Sequence, residues 1–288
     1  MQERRKTVML LVILWVASLP VYPFKHVETE PVPKDGRLTF VFYNVENLFD
    51  TQDDPVVNDQ EFLPGGKKQW NFKRYIKKIN DISRVIKELG GVELPEVVGL
   101  CEVENEMVLS SLVNHANLRG GHYQIVHFND RDSRGIDLAL VYRSDEFHLL
   151  SRKLIPVRSS KGGSYGRGIL YVTGQAGNGE ISHIFVNHWP SRENNDATKE
   201  RGRQEMAGSL RRLTNELRAK NINAHIIIMG DMNDEPGSTS LSGILGAVPP
   251  GRHSLSGLVN LMYPAKGKGE GSVKFRNDWK MLAARVRE

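Results

Sequence analysis

Four apolar runs in this sequence each stop at a side chain able to hold a metal ion or a phosphate: Phe40–Asn44, Val97–Glu102, Ile184–His188 and Ile226–Asp231. A buried strand that ends in a carboxylate, an imidazole or a carboxamide lets a rigid scaffold present that group at the edge of a sheet. One such ending is ordinary, because strands normally run out into polar residues. Four together, drawn from Asn, Glu, His and Asp, form a chemical set. Glu102 and Asp231 are hard oxygen ligands of the kind Mg²⁺ prefers, with water and substrate phosphate completing the octahedron. Mn²⁺ is the natural substitute. Zinc is disfavoured, because the set lacks the thiolates and multiple imidazoles that zinc would draw.

Positioning these groups requires a sheet-rich domain. Leu38–Tyr43 reads as a buried strand, followed by a long loop rich in Asp, Asn and Gly up to Lys67. Ile76, Ile79, Ile82, Val85, Ile86 and Leu89 recur at three- and four-residue steps and predict a helix. Strands are expected at about 96–103, 122–128, 136–143, 146–155, 169–175, 181–187 and 224–229. Helices are expected near 105–116 and over 197–220, the second turning Met206, Leu210, Leu213 and Leu217 inward. The Gly-rich segment Lys161–Gly168 reads as a turn or mobile loop; P-loop and dinucleotide motifs need a helix directly after the glycines, and none follows. Many strands in adjacent pairs with few helices predict an α+β fold with two packed sheets flanked by helices.

The order of the motifs now becomes informative. Tyr43-Asn44-Val45-Glu46-Asn47-Leu48-Phe49 resembles the first motif of the endonuclease/exonuclease/phosphatase superfamily, and Gly99-Leu100-Cys101-Glu102-Val103-Glu104-Asn105 resembles its metal-binding glutamate motif. The segment Arg134–Arg143 is similar to the strand that follows. Val186–Arg192 and Met229–Pro236 resemble the histidine and aspartate–asparagine motifs. The resemblance runs from about Leu38 to Leu282 in family order. It implies a deoxyribonuclease-like four-layer α/β/β/α sandwich of two mostly antiparallel sheets, with the site at one edge. It also implies roles: Glu102 as main metal ligand with Asn44 and Asp231 beside it, and Asn44 near the phosphate. His188 would hydrogen-bond the phosphoryl oxygens, Asp231 would orient or deprotonate the attacking water, and Asn233 would donate to the phosphate. Glu46 divides evenly between support of the site and plain exposure. Arg134, Asp137 and Arg143 read first as surface residues and second as phosphate contacts, and Trp189 reads as packing. His115, His122, His127, His183, His225 and His253 carry no motif.

The family's last motifs, an aspartate on the penultimate core strand and a later Ser-Asp-His-like segment, have no counterpart here. After Ser272–Leu282, which resembles the approach to that strand, the sequence reads Ala283-Ala284-Arg285-Val286-Arg287-Glu288. Family-like sequence that stops inside a strand suggests a frameshift or premature stop near residue 283. The expectation is then a sandwich with its last strands missing, an open apolar edge, and turnover reduced by as much as the about 10²–10⁴-fold that one acid–base group contributes.

Composition sets the outer limits. Hydrophobic residues make up 39% and charged residues 25% of the 288, which suits one globular domain with an adequate core and excludes disorder for most of the chain. The net charge of +5 falls to +3 once Arg4, Arg5 and Lys6 against Glu3 are set aside, and no basic stripe with interleaved aromatics marks a long nucleic acid as partner. Cys101, the sole cysteine, reads as a buried small hydrophobe. A basic head, the apolar stretch Val8–Val16 and a small-residue region predict a signal peptide over residues 1–23, with an uncleaved membrane anchor as the alternative. Residues 24–37, with Pro31 and Pro33, read as a linker, residues 38–282 as the domain, and residues 283–288 as a tail off the pattern. The sequence therefore predicts an exported phosphoesterase, periplasmic or extracellular, acting on phosphodiesters or phosphomonoesters, nucleic acid and nucleotides among them. No stable protein partner is implied, and the membrane enters only through the N-terminal segment if uncleaved. The rival readings are a non-catalytic phosphate- or nucleotide-binding module on the same fold and, further off, a Rossmann-like exported binding protein.

Overall fold

The computed structural model describes residues 38–287 apart from 131, 161, 163, 164, 166, 193–196, 276 and 277. The expected signal peptide and linker lie outside the described residues. The apolar runs become strands: β1 (Phe40–Leu48), β2 (Val97–Val103), β3 (Tyr123–His127), β4 (Asp137–Arg143), β5 (Phe147–Ile155), β6 (Ile169–Ala176), β7 (Ile181–His188) and β8 (His225–Asp231). Short strands follow at β9 (Val259–Asn260), β10 (Val273–Phe275), β11 (Asp278–Lys280) and β12 (Ala283–Arg287). One sheet has the order β1-β2-β4-β3, the other β5-β6-β7-β8-β12-β9, and β10 and β11 form a separate hairpin.

Two pairs break the antiparallel rule, β1 with β2 and β7 with β8. Parallel neighbours need a long crossover, and each has a helix in it. The helices are α1 (Phe72–Gly90) between β1 and β2, and α3 (Ala197–Lys220) between β7 and β8. A shorter helix, α2 (Glu106–Val113), follows β2, and α4 (Tyr263–Gly267) precedes the hairpin. Among the described residues no helix is long and apolar enough to cross a membrane.

Burial divides into three apolar layers. Phe40, Phe42, Leu140, Val172, Ile184 and Met229 belong to the layer between the sheets. Ile79, Ile82, Ile86 and Leu109 join α1 and α2 to the outer face of the first sheet, and Met206, Leu210, Phe185 and Ile228 join α3 to the second. That gives the four-layer order α/β/β/α. Stripes of this kind, each removing apolar area from water at about 25 cal/mol per Å², are the main source of stability.

The register of α1 differs in detail from expectation. Tyr75, Ile79, Ile82, Ile86 and Leu89 form the buried stripe while Ile76 is 44% exposed, because steps of four and three from Tyr75 follow one face and Ile76 lies about 100° away from it. Asn71 caps the helix by accepting from Arg74 N.

The C-terminal residues require a larger correction. Ala283–Arg287, read from sequence as an off-pattern tail, form β12, antiparallel to both β8 and β9. The edge of β8 that was expected to lie open is therefore covered, with Met232 N donating to Leu282 O at 3.0 Å just beyond the ladder. Ser272 Oγ anchors the entry by accepting from Leu282 N and Ala283 N.

Candidate active site

Each parallel pair ends at the same edge of the sandwich. His188 and Asp231 are register partners at the ends of β7 and β8, while Asn44 faces Cys101 beside Glu102 at the ends of β1 and β2. The inter-sheet layer brings the two pairs together. The Asn44 Nδ2 group donates to Glu102 Oε1 at 3.1 Å and to Asp231 Oδ2 at 3.0 Å, so one carboxamide joins carboxylates from different sheets. His188 Nε2 lies 3.7 Å from Glu102 Oε1. Close approach of the β7 and β8 backbones is secured by Gly230, where a Cβ would stand 2.4 Å from Asn187 O.

The backbone at this edge is strained. Four of the six non-glycine residues with positive φ among those described are Glu46 (55°), Asn47 (61°), Glu102 (64°) and Asn233 (47°). Left-handed backbone costs an ordinary residue about 1–2 kcal/mol, and such strain gathers where surrounding structure over-determines it. Both bulges lie at one level: β1 spends residues 45–47 on an excursion where β2 spends only Glu102. The excursion turns Asn47 N toward Glu102 Oε2 at 3.0 Å and Glu46 N toward Asn44 Oδ1 at 2.9 Å, fixing both side chains. On the other sheet, Asn233 N donates to Asp231 Oδ1 at 3.0 Å.

A sequence profile described as the endonuclease/exonuclease/phosphatase family matches residues 39–286. The chain belongs to this family. No curated protein sequence matches it. Among solved structures, a mannosyl-6-phosphatase from Bacteroides thetaiotaomicron is similar at 16% identity, with 87% of this chain and 85% of that one covered and a TM-score of 0.59. ANGEL2, a 2′,3′-cyclic phosphatase, gives 13% identity, 86% and 81% coverage and a TM-score of 0.58. The catalytic domain of human Nocturnin gives 18%, 73% and 74%, and 0.52. Identities this low speak for the fold, and they agree with the two-sheet sandwich described above.

In this endonuclease/exonuclease/phosphatase domain, burial sets the protonation states at the site. Burial raises the Asp231 carboxyl to about 6, against which the hydrogen bonds from Asn233 and Asn44 act. His188, 5% exposed, is held well below the usual imidazole range by burial and then by the charges of Arg167 and Arg134. Its Nδ1 has no hydrogen-bond partner among the described residues. A neutral imidazole beside an acid is a donor or acceptor and not a fixed cation. Among the described residues no three His, Cys, Asp or Glu side chains converge closely enough to hold a metal unaided. The fitting donors are Glu102 and Asp231; the Asn44 carboxamide turns its Nδ2 to both carboxylates and its Oδ1 to Glu46 N, so here it holds the ligands in place. Hard oxygens that leave most of the shell to water and phosphate suit Mg²⁺.

The other sequence-derived residues divide. Asn233 uses its Nδ2 to donate to Trp189 O at 3.0 Å, so that N–H ties the β7 and β8 ends together instead of facing a phosphate. Trp189 is fully buried packing. Asp137 is buried with His127 Nε2 at 3.1 Å, and Arg143 is held by Glu96, Asp145 and Glu146; neither joins the cluster. Arg134 is exposed against Asp132.

Sequence reasoning passed over three features. Arg167, in the Gly-rich segment read only as a turn, is 8% exposed; its Nη1 lies 3.1 Å from Asp132 Oδ2 without hydrogen-bond alignment, and its Nε has no hydrogen-bond partner among the described residues. Lys78, one residue before the buried Ile79, reaches Glu46 O at 2.6 Å. Behind the glutamate motif lies an acidic group of Asp50, Asp59 and Glu104, exposed by 6%, 1% and 6%. Asp50 N donates to Glu104 Oε2 at 2.6 Å, and burial followed by the charges of Asp50, Asp59 and Asp54 raises Glu104 to about 8. An arginine between glycines and a lysine flanking an apolar stripe were the available signals.

Proposed function

We propose that this protein is a Mg²⁺-dependent hydrolase of phosphodiester or phosphomonoester bonds, with Mn²⁺ as a working substitute. The observation that carries the reading is the Asn44 carboxamide joining Glu102 and Asp231 across two sheets with His188 at their side. Such groups, remote in sequence and held by strained backbone, suit a reaction that depends on positioning and charge neutralisation more than on covalent chemistry. Glu102 and Asp231 would hold the cation with the Asn44 carboxamide orienting both, and the cation when bound polarises the phosphoryl group and lowers the pKa of water. Asp231 orients the attacking water and accepts a proton from it. His188 donates to a phosphoryl oxygen as charge grows there, and Arg167, whose charge is felt by His188 and Asp231, adds positive potential for the same anion. The basic head and apolar stretch at the N-terminus support export, with anchoring by that segment as the alternative.

The test is hydrolysis of bis-p-nitrophenyl phosphate and p-nitrophenyl phosphate with added Mg²⁺ or Mn²⁺, with EDTA, and with Glu102→Ala and Asp231→Ala. Turnover that needs the cation and vanishes in both variants supports the reading. Metal-independent turnover, or turnover untouched by the substitutions, contradicts it.

One observation favours a second reading, a phosphate- or nucleotide-binding module without turnover. Position 283 is the register partner of Asp231 and is occupied by alanine, 4% exposed, so no proton-transfer group stands at that place. Metal-dependent nucleotide binding without product would decide for this reading.

A further inference from the structure

The turn that aims Glu102 is not held by the site alone. Glu46 and Asn47 are consecutive residues in the left-handed region, and the Glu46 carbonyl is turned toward α1, where it meets a side-chain donor. Lys78 supplies that donor from the crossover helix, its ammonium 2.6 Å from Glu46 O and its position one residue before the buried Ile79. A charged donor on a carbonyl is among the stronger hydrogen bonds. Glu46 N and Asn47 N are meanwhile committed to Asn44 Oδ1 and Glu102 Oε2. Resting on the assignment of Glu102 as metal ligand, we infer that Lys78 is a positioning residue for the metal: by clamping the 46–47 turn it keeps the Asn47 N–H on Glu102.

The sign of the effect separates this role from a simple charge effect. Removing a positive charge near a cation site strengthens cation binding by electrostatics alone. Removing a clamp behind a ligand weakens it, commonly about 10–100-fold. The experiment is calorimetric titration of the full chain with Mn²⁺ and with Mg²⁺ for wild type, Lys78→Met, Glu46→Gly and the double variant, alongside thermal melting in EDTA. Glycine adopts positive φ without strain, so at position 46 it relieves the need for the clamp. Lys78→Met is expected to bind the cation about tenfold or more weakly, and Lys78→Met/Glu46→Gly to regain most of that loss. Unchanged or tighter binding in Lys78→Met overturns the inference while leaving the metal reading intact, as does a weakened variant that glycine fails to rescue. If Lys78→Met does not fold, a double variant that folds and binds supports the clamp, and a double variant that also fails to fold overturns it. A wild type that binds neither cation removes the metal reading and this inference together.

Discussion

Glu104→Gln should stabilise the metal-free protein at alkaline pH. Glu104 is 6% exposed and faces Asp50, Asp54 and Asp59, and its folded-state carboxyl is raised from 4.5 to about 8. Because the folded state holds this proton more tightly than the unfolded chain, the stabilising contribution is complete below the unfolded value. It is lost as pH rises toward about 8. At about 1.4 kcal/mol per pH unit the interval corresponds to a ceiling of about 5 kcal/mol. Loop relaxation and water entry reduce this, and about 2 kcal/mol is expected, or roughly 4–8 °C in melting temperature for a domain of this size. Glutamine preserves the acceptor for Asp50 N and carries no charge to repel Asp50, Asp54 and Asp59. Thermal or urea unfolding in EDTA between about pH 6 and about pH 8 isolates the effect, since Asp231 titrates near the lower end. The wild type should lose stability across that window and the variant should stay nearly flat. Parallel curves would refute a buried, proton-holding Glu104.

Further perturbations probe the site and its frame. On the proposed place of Asp231 as a ligand, cation and proton compete for it, so Mn²⁺ affinity should fall as pH drops through about 6, measured by calorimetry on either side; a flat affinity contradicts that place. Gly230→Ala should cost about 2 kcal/mol or more and reduce phosphodiesterase activity, because the new methyl meets the Asn187 backbone at 2.4 Å. Gly99→Ala meets side chains and no backbone, the flexible Met229 at 2.9 Å and Val186 Cγ2 at 3.3 Å, and should be milder by the same melting assay. Asp234→Ala removes the carboxylate facing Arg192 at 3.0 Å and the buried Arg203 at 3.7 Å, and should destabilise by about 3 kcal/mol in urea titrations.

The sandwich was legible because its signals are local. A strand such as Ile226–Met229 is apolar on both faces, and Ala197–Lys220 shows its helix in the spacing of Met206 and Leu210. Asn44, Glu102, His188 and Asp231 were visible as strand endings for the same reason. The excursion at 45–47 was not, since consecutive positive φ values at Glu46 and Asn47 have no compositional mark when neither residue is glycine. Nor was β12, whose Ala283–Arg287 shows no strand pattern of its own; it is a strand through pairing with β8 and β9, a tertiary effect. The helical turn at Thr239–Ile244 and the short β9 likewise lack periodicity and owe their form to neighbours. Asn233 shows the limit for side chains, since the motif gives the residue but not the carbonyl its amide selects.

The division of the cluster between two parallel pairs has a practical consequence. Asn44 and Glu102 come from one half of the chain, His188 and Asp231 from the other, and each half carries its own crossover helix. On the proposed assignment of Glu102 and Asp231 to a cation, a break in the turn joining β4 to β5 would place the two carboxylates in separate fragments, and full cation affinity would return only when their inner faces meet. Reassembly could be followed through metal binding alone, making the pair a complementation sensor for whatever is fused to its ends.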